Sequence, residues 1–157
     1  MTDIDQPGGD TAPAQDCAAY ISPDEQRRQS DFAENRATLF DALDRSGITL
    51  VTVVFDGYGD SGQIEDIGVM ADTAVDLKAI KLDQKRVRWG DGTIETVTAD
   101  LETTIEDLVY ALLEQAHGSW GDNEGAYGEF VFDVAERTIV LDFNERHVDV
   151  VSHWHEF

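Results

Sequence analysis

Residues 130–143 read Phe-Val-Phe-Asp-Val-Ala-Glu-Arg-Thr-Ile-Val-Leu-Asp-Phe, and this stretch decides the fold class. Phe130, Phe132 and Val134 alternate with their neighbours, Ile139, Leu141 and Phe143 do so again, and Glu136-Arg137 separates the two runs. A period of two marks a strand with one face toward a core, and two such runs around a short polar break predict an antiparallel hairpin. Downstream, residues 147 to 155 read as a last strand. Upstream lies a glycine-rich stretch, Gly118 to Gly128, expected to be a loop. Before it the period changes: Leu101, Ile105, Leu108, Val109, Leu112, Leu113 and Ala116 fall on one face of a helix. Thr103 with Glu106 forms a capping box at its start, and Gly118 a stop near its end.

The N-terminal half begins as sharply. Ser22-Pro23-Asp24-Glu25 places a capping serine before a proline and a glutamate three residues on, predicting a helix over 23–46 that Gly47 closes. Ile48 to Phe55 is apolar on both parities, which predicts a central strand buried on both faces. A second glycine-rich loop, residues 56–62, and a returning strand over 63–70 follow. Asp91-Gly92 is a strong hairpin signal. Strands grouped around two helices make the expected fold α+β: a mostly antiparallel sheet with both helices on one face, in a single domain over residues 21–157. Residues 1–20, with two prolines, four aspartates and no lysine or arginine, are expected to be a disordered acidic tail. Cys17, the one cysteine, falls there, so no intramolecular disulfide forms.

Charge narrows the partners. The chain sets 33 acids against 11 lysines and arginines, a net −22. Such a protein repels nucleic acid and anionic membranes, so neither is an expected direct partner. The N-terminus lacks the basic start and apolar run of a signal peptide, and no segment has the roughly 20 apolar residues of a membrane span. Cytoplasm is the expected location. Lys78, Lys81, Lys85, Arg86 and Arg88 gather in one short segment, and no base follows between Trp89 and Ala135 while acids recur. A surface polarised in this way imitates a phosphate array. The expected partner is a basic, nucleic-acid-binding protein, and the expected contacts are Asp100, Glu102, Glu106, Asp107, Asp122 and Glu124. The competing explanation is a solvated surface kept acidic for solubility.

The two glycine-rich stretches echo one another: Tyr58-Gly59-Asp60-Ser61-Gly62 and Trp120-Gly121-Asp122-Asn123-Glu124-Gly125. Tyr58, Asp60 and Trp120 join the expected partner contacts. Glycine-imposed turn geometry and an aromatic covering the core edge explain the same residues without a ligand. Carboxylates at Asp56, Asp60 and Asp122 suit a hard divalent cation, although the spacing does not fit an EF-hand. His153 and His155, with Asp149 on the same strand parity, match a pair of metal ligands with a carboxylate to complete them. No nucleophile elbow, P-loop or dinucleotide fingerprint is present, so the leading expectation is a non-enzymatic protein without a cofactor. A metal-binding module or metal-dependent enzyme is the alternative.

Gly125-Ala126-Tyr127-Gly128-Glu129-Phe130-Val131-Phe132-Asp133-Val134, then Thr138 to Arg146, with Phe55 to Glu65 and the closing Glu156-Phe157, resembles a family of small bacterial proteins classed as a domain of unknown function. The likeness covers about residues 48–157. It brings no catalytic residues. It implies a bacterial source and a mobile-element setting, where small acidic accessory proteins and inhibitors are common.

Overall fold

The computed structural model describes residues 22–88 and 90–157. The expected tail over residues 1–20, with Cys17, lies outside them. Helix α1 spans Pro23–Arg45, as its sequence predicts: the Ser22 hydroxyl accepts from the Glu25 backbone N–H at 3.2 Å and Pro23 occupies the first turn. Ser46 caps its end, and Gly47 turns the chain with a left-handed φ of +74°. Leu39, Phe40, Ala42 and Leu43 form its buried face.

Strand β1, Ile48–Ala71, is a 24-residue extended run. A straight strand would hold Thr49 and Met70 roughly 70 Å apart at about 3.3 Å per residue. Instead the Thr49 hydroxyl donates to the Met70 carbonyl at 3.2 Å, so the run doubles back on itself. The returning strand expected over 63–70 is its second limb. Residues 56–62, expected to be a loop, are the extended tip. Along the first limb Val51, Val53 and Phe55 are fully buried whereas Val54 is 37% exposed. The expectation of burial on both faces is thus corrected: both helices lie on one side, and the other stands partly open to solvent.

Strand β4, Asp122–Asp133, pairs antiparallel with the first limb of β1 from Leu50↔Asp133 to Asp60↔Asp122. Strand β5, Thr138–Glu145, pairs with β4 on its other side. The hairpin between them turns through Arg137, φ 53°. With the two limbs of β1 these make a four-stranded antiparallel sheet. Strands β2, Lys81–Val87, and β3, Ile94–Asp100, form a separate two-stranded hairpin around Asp91-Gly92, as expected. There the Asp91 carboxylate accepts from Thr93 N–H at 3.0 Å and from its hydroxyl at 2.8 Å, which holds its pKa below the usual range.

Helix α2, Leu101–His117, follows β3 without a break. Its cap is Asp100, whose carboxylate accepts from Thr103 N–H at 2.8 Å, and the capping box expected at Thr103 and Glu106 does not form. Gly118 closes it in a right-handed conformation. Leu101, Ile105, Val109 and Leu113 meet Phe55, Phe130 and Phe132 in the core, where each large side chain contributes roughly 1.5–3 kcal/mol by leaving water. The last strand expected over 147–155 does not form. Residues 146–157 carry no regular structure, and their apolar side chains stand in solvent.

Candidate functional site

The two glycine-rich stretches meet in space as paired strands. Gly59 lies opposite Asn123 and Asp60 opposite Asp122, with a register irregularity between Gly57 and Gly59. Trp120 lies across the β1 tip: a side chain at Gly57 or Gly62 would run into its ring. Its indole meets Phe55 edge-on at 5.6 Å and leans on Tyr110 at 6.4 Å, while the Tyr110 hydroxyl accepts from Ile64 N–H at 3.1 Å. Trp120 is therefore in large part a packing residue that fixes the tip. Tyr58, by contrast, is exposed. The side chain of Asp60 lies outside the described part of the structure.

Arg146, which the sequence reading did not single out, clamps this region from the end of β5. Its Nη1 donates to the Gly57 carbonyl at 2.9 Å, and its Nη2 lies 2.8 Å from the Asp56 carboxylate, in ion-pair contact but outside hydrogen-bond alignment. The guanidinium also covers the Tyr127 ring at 4.8 Å. The signal was faint: one arginine in an acidic context, adjacent to Glu145. Beside it opens a cleft of about 460 Å³, lined by His117, Trp120, Asp122, Glu124, Phe143 and Glu145 among others. His117, from the last turn of α2, stacks flat on Phe143 at 3.7 Å. Asp122 and Glu124 are thus brought together at an aromatic-floored cleft.

The other four predicted contacts stand around the start of α2, and the fold lays the basic segment beside them. Lys81 approaches Asp100 at 3.9 Å, Lys78 approaches Glu102 at 3.8 Å, and Arg86 approaches Asp107 at 3.4 Å. The Thr103 N–H, and to a lesser degree Lys81, hold Asp100 below its ordinary pKa. These pairs are open to solvent and weak, because water screens the attraction. Glu106 differs. Burial first, then Glu102, Asp107 and Asp100, raise its pKa above the ordinary carboxylate value. It shares a second cleft of about 260 Å³ with Glu102, Glu65 and Asp66, the last two from the returning limb of β1. Sequence spacing could not find those two, because only the doubling back of β1 carries them to α2.

His153 and His155 lie in the 146–157 segment, their rings 6.5 Å apart, and with Asp149 they are exposed. Among the described residues no three His, Cys, Asp or Glu side chains gather where they could hold a metal ion. No described helix is long and apolar enough to cross a membrane. The model of a family of unknown function, DUF6878, matches residues 32–157. The chain belongs to that family. The match covers both clefts and the exposed 147–157 segment, and leaves the first turns of α1 outside. No curated protein and no solved structure matches the chain.

Proposed function

We propose that this DUF6878 member is a non-enzymatic acidic interaction protein that binds a basic protein surface, in the manner of a nucleic-acid mimic. The carrying observation is the carboxylate cleft at the start of α2. Glu106 is held above its ordinary pKa by burial and by neighbouring acids, in a cleft whose other charged groups are Glu65, Asp66 and Glu102. Internal lysines and arginines approach Asp100, Glu102 and Asp107 but leave this cleft net negative. A lysine or arginine from a partner would relieve that repulsion, and the net −22 would speed the encounter. Asp122 and Glu124, at the rim of the larger cleft, supply a second acidic contact. A regulator or inhibitor carried as an accessory of a mobile element fits this reading.

The test is affinity capture from a bacterial lysate, with DNA or RNA added as competitor. A nucleic-acid-binding protein retained at low salt, released at high salt and displaced by its own nucleic acid supports mimicry. Charge reversal at Glu65, Asp66 and Glu106 should weaken capture about tenfold or more, a loss of at least ~1.4 kcal/mol. Reversal at Glu25 on the exposed side of α1 should leave it unchanged. Equal capture by both variants would sink the proposal.

A further inference from the structure

The 146–157 segment is built like a strand and has no sheet. Its run Val148-Asp149-Val150-Val151 favours extended backbone, yet Val148, Val150, Val151, Trp154 and Phe157 are all exposed, Trp154 at 96%. It carries three of the four histidines and only Asp149 and Glu156 as acids.

The sheet, for its part, ends unfinished. Strand β5 pairs with β4 on one side and with no other strand among the described residues. Its core-side residues Ile139, Leu141 and Phe143 reach only partial burial, and Val140 on the opposite side is 61% exposed. Such an edge is a template for one more strand.

We infer that a second copy of this chain completes the sheet: each β5 edge receives the 147–157 segment of the other copy, in a two-fold exchange. The segment does not turn back onto its own β5. Arg146 N–H continues the ladder by donating to Gly125 O at 3.0 Å, and its guanidinium is fixed on Gly57 and Asp56. The next residues, His147-Val148, are not the Gly, Asn or Asp that a two-residue turn demands. Only its first residues, His147 and Val148, line a cleft of their own domain, and the apolar side chains beyond them stand in solvent. Register does not restrict the fit, because apolar residues occupy both parities: Val148, Val150 and Trp154 on one, Val151 and Phe157 on the other. One set meets Ile139, Leu141 and Phe143 while the other meets Val140. Large aromatic side chains bury about 150–250 Å² each. Exchanged twice, and counted with the surface they cover, the five apolar side chains reach the roughly 1,200–2,000 Å² of a stable interface.

Sedimentation equilibrium of the full chain at low and high salt tests this. The expected result is a dimer that tightens as salt rises, because salt screens the repulsion between two −22 chains. Binding of a basic partner has the opposite salt dependence, so either idea can fail without the other. The double substitution Trp154→Ser/Phe157→Ser touches only exposed side chains and should weaken dimerisation about tenfold or more, at least ~1.4 kcal/mol. Amide exchange in the wild-type dimer should show protection over 148–157 that the variant loses. A monomer at both salts, a dimer that the variant retains, or a monomer whose own segment is protected would each overturn the exchange.

Discussion

At the level of single residues, Glu106 and Trp120 show how far side-chain chemistry depends on the neighbours that the fold supplies. Glu106 stands above its ordinary pKa of 4.5, first through burial and then through Glu102, Asp107 and Asp100. The unfolded chain restores the ordinary value. Between the two values the folded state holds more proton than the unfolded one, so this group's contribution to stability falls as pH rises through that window and stays lower above it. Glu106→Gln should therefore raise the urea midpoint at neutral pH and change nothing at pH values below the ordinary carboxylate range. An equal shift at both pH values would show that packing, not charge, is responsible. Glu106 was legible as an acid on a helix. Glu65 and Asp66 were not legible as its neighbours, since no local pattern encodes the return of β1. Trp120 was legible both as a partner contact and as an aromatic covering the core edge, and the space left by Gly57 and Gly62 lets its ring pack across the tip.

At the level of elements, local signals succeeded where an element's own residues decide its ends. Ser22, Pro23 and Glu25 define the start of α1, and Ser22→Ala should lower stability by about 0.5–2 kcal/mol in chemical denaturation, with the loss of helix signal confined to the first turns. The hairpin at Glu136-Arg137 and the hairpin at Asp91-Gly92 were legible for the same reason. The start of α2 was misplaced by three residues because Asp100, at the end of β3, takes the capping role without a break in the chain. The glycine-rich stretches were read as loops because glycine weakens a strand. Residues 118–121 do form a turn, but residues 56–62 and the chain from Asp122 on are extended, because paired backbone and close packing, not propensity, decide there. The valine-rich 147–155 segment failed in the opposite direction: strand propensity is present, but the segment pairs with no described strand of its own chain.

At the level of the whole molecule, charge sets the terms. Lysines and arginines approach a few acids around α2, and an excess of 22 negative charges remains over the chain. Self-repulsion of that size opposes compaction, so the urea midpoint should rise as sodium chloride is added over the range that shortens the Debye length from about 30 Å to about 3 Å. A midpoint indifferent to salt would mean that the acids are spaced widely enough to ignore one another. The fold class followed from periodicity and the one-sided placement of the helices from the grouping of elements. The both-parity apolar run at Ile48–Phe55 pointed instead to burial that the structure does not have. The composition of the clefts was not legible, because each draws on residues distant in sequence.

The seam between β1 and β4 has a consequence for how the chain is made. It joins Leu50 to Asp133, so the central pairing of the sheet forms only after both helices and the β2–β3 hairpin have been synthesised. The β1 hairpin closes locally, within about 1–10 μs once its residues are free. Its apolar face, with Val51, Val53 and Phe55, then waits for α2 and β4. At roughly 5–20 residues per second that wait lasts several seconds, during which a nascent β1 offers an unpaired edge to whatever lies nearby.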